Sequence, residues 1–153
     1  MKPNKIKQIW AQGKPVTLGW ISIANSFTAE IMARQGFDAV CVDMQHGVQD
    51  YLSMVQCFQA MDKYPITPLV RVPWNEPGII GRVLDMGALG VIIPMVNSPE
   101  EAEAAVAACR YAPEGRRSVG PIVPNQRYGA GYFGSANRRV ACIPMIETDV
   151  AVS

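Results

Sequence analysis

A chain of 153 residues with 49% hydrophobic and 18% charged side chains has the composition of a globular domain and can bury roughly two-thirds of its unfolded surface. Its 14 basic and 13 acidic residues leave a net charge of +1, which excludes the one-sided Lys/Arg excess of a nucleic-acid surface, and the composition excludes a disordered or fibrous chain. The length also excludes a complete (β/α)8 barrel, which needs about 250 residues.

Residues 1–7 are basic but lead into no apolar signal-peptide core, and no apolar run approaches the roughly 18 residues of a membrane span. A cytoplasmic protein with neither a membrane nor a nucleic-acid partner is expected. Residues 17–22 predict a first strand. Asn25 or Ser26 can cap a helix through Ala29, Ile31, Met32 and Ala33, which Gly36 ends. Residues 39–42 are a continuous apolar run of the kind found in strands buried on both faces. Leu52, Val55, Phe58 and Met61 then fall at helical spacing within residues 49–61.

Pro65 and Pro68 bracket the entry to a third strand, residues 69–72, followed by a helix over 75–86 and a strand at 91–93 that Pro94 stops. Ser98, Pro99 and Glu101 form a strong helix start, with a Ser N-cap, Pro at the first turn and Glu at the capping-box position. That helix runs to about Arg110. A Gly/Pro/Arg-rich stretch, residues 112–137, precedes the last strand at 140–146. Strand starts lie about 20 to 30 residues apart until a last gap of about 50, whose long loop is expected to be functional or disordered. Wholly apolar strands alternating with helices mean parallel β-structure, hence a single α/β domain over residues 1–153.

Cys41, Cys57, Cys109 and Cys142 are widely spaced with no C-x-x-C pair, and one histidine makes a mixed Cys/His zinc site a poor reading. Free, buried thiols in a reducing compartment are expected, with a site built from all four cysteines as the formal alternative.

Ligands of parallel α/β folds bind beyond the carboxyl ends of the strands. His46 follows the second strand directly after Asp43 and Gln45, Arg71 lies in the third, and Glu147 and Asp149 follow the fifth. His46 is either a structural hydrogen-bonding group or a proton carrier near neutrality. Arg71 is either the core partner of Asp43 or a clamp for a carboxylate or a developing oxyanion. Glu147 either precedes a helix cap at Thr148 or is a metal ligand. A single carboxylate holds a divalent cation poorly, and Asp149, in the first turn of a helix, is a weak second ligand.

At this level of detail the chain resembles the HpcH/HpaI aldolase/citrate lyase family, specifically its metal-dependent pyruvate aldolases. The resemblance runs in order through LGW (18–20), GFD (36–38), VDMQHG (42–47), VRVP (70–73), NEP (75–77) and LDMGA (84–88). It continues through IPMV (93–96), RYAPEGRR (110–117) and IET (146–148). It implies a (β/α)8 TIM barrel of the phosphoenolpyruvate/pyruvate type, of which the chain holds about the first five βα units as a truncated, N-terminal portion. It implies Mg²⁺, Mn²⁺ or a similar divalent cation, cleavage of a 4-hydroxy-2-oxo acid to pyruvate and an aldehyde, and a homo-oligomer at full length.

Carried over by position, the resemblance makes His46 the general base for the C4-hydroxyl proton, by way of a water on the cation. It makes Arg71 the residue that binds substrate and stabilises the enolate, and Glu147 the first metal ligand, with a second expected beyond Ser153. Asp85 becomes a carboxylate that raises the basicity of the histidine, although the helix pattern puts it on the rim opposite His46. Gln45, a substrate-binding candidate, stands where many relatives have Glu, and Met145 where a substrate-contacting Gln is common, so substrate choice is open. The alternatives are a 2-keto-3-deoxy sugar-acid aldolase of the same family and a catalytically incomplete barrel fragment or binding module.

Overall fold

A computed structural model describes residues 3–153, so Met1 and Lys2 of the basic N-terminal stretch lie outside the described residues. Five strands form one sheet in the order β1 (Leu18–Ile21), β2 (Ala39–Asp43), β3 (Thr67–Arg71), β4 (Gly90–Ile93) and β5 (Ala141–Pro144), every neighbouring pair parallel. Because strands in sequence order are also neighbours in space, each βα unit adds one strand to the same growing edge. This bears out the α/β expectation and is the arrangement of a (β/α)8-type barrel wall.

The connecting helices are α2 (Ser26–Ala33), α3 (Tyr51–Met61), α4 (Pro77–Asp85) and α5 (Pro99–Cys109). Their starts are set by side chains that accept orphan backbone N–H groups: Asn25, Asp50, Glu76 and Ser98. Asp50 and Ser53 exchange hydrogen bonds in a full capping box, so α3 begins slightly later than its apolar spacing suggests. Likewise α4 begins at Pro77 rather than at residue 75, because Glu76 takes the cap and Pro fits the first turn.

Alternation along the strands divides the interior. Val40, Val42, Val70, Val91 and Ile93 face the helices, in a core shared with Met54, Phe58, Ile80 and Leu84. Ala39, Cys41, Leu69, Ile92 and Ala141 face the other side of the sheet, where Ile6 joins them. Ile6 belongs to α1 (Lys5–Trp10), a helix the apolar pattern does not announce. The same parity carries Asp43, two residues past Cys41, and Arg71, two past Leu69, to the inner side of the sheet's carboxyl end.

The Gly/Pro/Arg-rich stretch is ordered around buried tyrosines. It contains α6 (Ile122–Tyr128), a single 3-10 turn (Phe133–Ser135) and α7 (Ala136–Arg139), and leads into β5; a last short helix, α8 (Asp149–Val152), follows the strand. Tyr111, Tyr128 and Tyr132 cluster with Leu89 and Ala136. The Tyr128 hydroxyl donates to the Gly87 carbonyl at 2.6 Å, and the Asn137 side chain clamps the Tyr111 backbone at 2.7 and 3.0 Å.

Candidate active site

Asp43 is the hub of the carboxyl rim. Register places it opposite Arg71 on the last rung between β2 and β3. Arg71 Nε and Nη2 donate to the two carboxylate oxygens at 2.9 and 2.7 Å. Trp20 Nε1, from β1, donates to Oδ2 at 3.2 Å, and the backbone N–H groups of Gln45 and His46 reach Oδ1 at 3.1 and 3.3 Å. Burial pushes the Asp43 carboxyl up, but the hydrogen bonds from Arg71, Trp20 and the two backbone amides outweigh it and hold the group well below the usual carboxylate range.

Arg71 is thereby fixed on two sides. Its Nε–Nη2 edge is taken by Asp43, and one face lies 4.9 Å from the centre of the Trp20 ring. The Nη1 end remains, with donors in the plane for an incoming oxygen. Arg71 is held fully charged, first by Asp43 and to a smaller extent by Glu147, so Glu147 and Arg71 share one electrostatic neighbourhood.

The loop after β2 turns back sharply. A Cβ on Gly47 would stand 2.4 Å from the Asp43 carbonyl oxygen and 3.0 Å from Ser22, so only glycine lets the chain pass there. The turn leaves the His46 side chain exposed, with no hydrogen bond to another described residue. The Gln45 side-chain oxygen is buried without a hydrogen-bond partner. A buried acceptor left open at a rim is a place for a donor brought by a ligand. Cys41, on the inner face below this rim, is pushed up to about 12 by burial and stays a thiol, which removes it as a nucleophile.

Glu147 follows β5 and is exposed, and its Oε1 accepts the Met95 N–H at 2.8 Å. Met95 has φ 56°, the only positive φ at a non-glycine among the described residues. The Asn97 side chain donates to the Met95 carbonyl at 3.0 Å and accepts from the Thr148 hydroxyl. The loops after β4 and β5 are thus braced against each other around Glu147. Thr148 also caps α8, so Glu147 both precedes a helix cap and presents a free oxygen at the rim.

Asp85 lies apart from these groups. It is the last residue of α4, on the return path to the amino end of β4, and pairs with Arg117 at 2.7 Å. Burial raises its pKa despite the Arg117 partner. Within this chain Asp85 is not brought to His46. A cavity of about 830 Å³ also lies off the rim, in the groove between α4 and α5 that Asp85 and Arg117 help to line.

Arg71, His46, Gln45 and Glu147, the four rim candidates of the sequence, therefore gather at one end of the sheet. Trp20, Met95 and Asn97 join them without having been singled out. Trp20 could have been found from strand parity, since it shares the inner face with Asp43 and Arg71. Met95 carries no composition signal for a left-handed backbone.

Fit to a divalent cation rests on the donors present. Glu147 offers one hard, exposed carboxylate oxygen, suited to Mg²⁺ or Mn²⁺. No group of three or more His, Cys, Asp or Glu side chains able to hold a metal occurs among the described residues. The rim supplies one carboxylate of such a site and leaves the remaining positions to other ligands.

The chain is 39% identical over 150 residues to a hydroxypyruvate/pyruvate aldolase of Rhizorhabdus wittichii, covering 98% of this chain and 60% of that protein. It is 37% identical over 153 residues to a 4-hydroxy-2-oxo-heptane-1,7-dioate aldolase of Salmonella heidelberg, covering 98% and 58%. A crystal structure of a HpcH/HpaI aldolase/citrate lyase family protein from Burkholderia cenocepacia superimposes with a TM-score of 0.88 at 32% identity, over 97% of this chain and 62% of that one. The chain thus spans about three-fifths of the length of the curated relatives it matches. Residues 17–153 match the family as a whole, and the chain belongs to the HpcH/HpaI aldolase/citrate lyase family.

Proposed function

We propose that the protein to which this chain belongs is a divalent-metal-dependent aldolase, cleaving 4-hydroxy-2-oxo acids to pyruvate and an aldehyde. The observation that carries the reading is the Asp43-locked Arg71, presented beside His46 and Glu147 at the carboxyl rim of a family whose curated members include named aldolases.

Retro-aldol cleavage breaks the C3–C4 bond and leaves the electron pair on a pyruvate enolate. When bound, a divalent cation held by Glu147 and further ligands supplies Lewis acidity at the 2-oxo group. Arg71 directs its remaining N–H donors at the substrate carboxylate or enolate oxygen, and it moves little in doing so because Asp43 and Trp20 already fix it. His46 accepts the C4-hydroxyl proton as the bond breaks, with its exposed imidazole free to reach substrate. Gln45 presents an unpaired oxygen to a substrate hydroxyl. Asp85, paired with Arg117 beyond the opposite end of α4, enters this chemistry only if another copy brings it to a histidine.

The same reading includes a cytoplasmic homo-oligomer working on a small 2-oxo acid, with no nucleic acid or membrane as partner. The four unpaired cysteines fit a reducing compartment, and no helix among the described residues is long and apolar enough to cross a membrane. A sugar-acid substrate of the 2-keto-3-deoxy type shares every step above.

The test is aldol addition of pyruvate to a small aldehyde by the full-length protein with Mg²⁺ or Mn²⁺. Product that disappears on adding EDTA supports the proposal, and no product from folded, metal-supplied protein overturns it. The 153-residue chain assayed beside it shows whether these five βα units act alone or as a binding fragment.

A further inference from the structure

The loops that follow β1 and β2 are joined beside His46. Gly47 packs against Ser22, the Val48 N–H donates to the Ser22 carbonyl at 2.9 Å, and Gln49 Nε2 donates to the Ile23 carbonyl at 2.6 Å. Gln49 is itself buried, so the junction is held from beneath. A shallow cavity of about 330 Å³ opens on it, lined by Ala24, Gly47, Val48, Gln49, Asp50 and Ser53. Its lining begins one residue after His46.

The chemistry of that lining is one-sided. Gln49 spends an amide N–H on Ile23, and Asp50 and Ser53 exchange hydrogen bonds at 2.8 and 2.7 Å in the α3 capping box. What the joined loops show to solvent is hydrocarbon: Val48 is 76% exposed and Ile23 60%. Phe27 and Leu52, in the first turns of α2 and α3, are exposed as well. Apolar side chains gathered in this way mark a binding surface, where single exposed ones mark nothing. No lysine or arginine lines the cavity, and its one charged group is the Asp50 carboxylate. The Ser53 backbone N–H, chiefly, and the Ser53 hydroxyl hold that carboxyl below its usual range, so it stays ionised.

We infer that this cavity receives the substituent at C4 of the substrate, the part that leaves as the aldehyde, and selects an uncharged, apolar one. Val48 supplies the contact surface, and Asp50 turns carboxylates away. The inference rests on the aldolase reading, because proton transfer from the C4 hydroxyl to His46 places C4 beside the loop that carries Val48. A chain leaving C4 on that side runs along Gly47 and Val48, while Arg71 is committed to Asp43 and to the reacting end.

The test supplies the full-length protein with Mn²⁺ and pyruvate and compares kcat/KM for different acceptor aldehydes. Acetaldehyde, propanal and butanal grow by one methylene at a time. 4-Methylpentanal and succinic semialdehyde share one heavy-atom skeleton and differ in charge, and glyceraldehyde supplies hydroxyls. Full burial of a methylene is worth about fourfold, so a half-open cavity should give about twofold per step. 4-Methylpentanal should exceed succinic semialdehyde by about tenfold or more, and glyceraldehyde by about threefold or more. In Val48→Lys the first of these ratios should fall by about fivefold or more, and in Val48→Ser the gain per methylene should vanish. Each value is read against acetaldehyde in the same variant, so a general loss of activity cancels. Val48 is exposed, so both variants should keep the fold. A preference for succinic semialdehyde or glyceraldehyde, or ratios that both variants leave as they were, overturns the inference while the aldolase reading stands. No product even from acetaldehyde overturns the aldolase reading, and this inference with it.

Discussion

Asp43 and Arg71 meet edge to edge across the last rung of β2 and β3, so the side chain that locks the rim arginine comes from the strand that also launches the His46 loop. One carboxylate couples two functional groups: its oxygens hold the Arg71 fork and also the Gln45 and His46 backbone amides. The core ion pair and the substrate clamp, alternative readings of Arg71 in the sequence, are compatible, because the pair uses one edge of the guanidinium and leaves the Nη1 end.

Asp43→Asn should therefore damage more than a salt bridge. The side chains of Asp43 and Arg71 are 3% and 13% exposed, and breaking a buried pair by removing one charge costs about 3–5 kcal/mol. Denaturant unfolding measures that loss. Because Arg71 loses its fixed orientation, aldol turnover should fall together with stability, while Mn²⁺ affinity at Glu147 stays within about twofold. Unchanged stability would show that the pair is not held as described.

The same pair sets an acid limit. Asp43 has a folded pKa below its unfolded value, so the stabilisation is complete above the unfolded carboxylate pKa of about 3.9 and is lost as pH falls toward the folded value. Asp38, held down at about 2 by Lys5 and by the Thr17 backbone and hydroxyl, acts in the same direction. Asp85, whose pKa is raised by burial, acts in the opposite one. Unfolding free energy measured from pH 7 to pH 2 should be steeper below about pH 4 in the parent than in Asp43→Asn. Parallel curves would remove Asp43 as a source of the acid dependence.

His46 and Glu147 should separate cleanly. His46→Ala removes an exposed side chain bonded to no other described residue, so stability should change by less than about 0.5 kcal/mol and metal affinity should hold, while cleavage is abolished. Glu147→Gln should act mainly through metal affinity, read by Mn²⁺ titration, with added metal restoring part of the turnover. Loss of metal binding in His46→Ala would make His46 a ligand rather than a base.

The rim was legible because its groups come from strand ends, and strand ends follow from apolar runs that stop at a polar residue. Val40–Cys41–Val42 gives way to Asp43, and the run closing at Ile146 gives way to Glu147. What stayed hidden depends on the third dimension. The α1 helix is six residues long, too short for periodicity to register, although its Ile6 plugs the inner face. The stretch from 112 to 137 looked irregular because its order comes from buried tyrosines and arginines held by backbone carbonyls and ring faces, with no repeating pattern. Asp85 sat correctly at a helix end, but its partner Arg117 lies 32 positions on, and no local spacing announces such a pair.

Met95 offers the sharpest test of the brace around Glu147. Its left-handed backbone aims an N–H at the Glu147 carboxylate and costs about 1 kcal/mol or more for a non-glycine residue. Met95→Gly relieves that strain and adds unfolded-chain entropy of about 0.4–1 kcal/mol, so the two effects nearly cancel and stability should stay close to the parent's. Met95→Val places a β-branched side chain in the same conformation and should lose about 1–2 kcal/mol or push the loop out of it. Turned away, the N–H no longer orients Glu147, and Mn²⁺ affinity should fall in Met95→Val while Met95→Gly keeps it. Equal affinity in both variants would show that Glu147 needs no backbone donor, and a large loss of stability in Met95→Gly would shift the role from the Met95 backbone to its side chain.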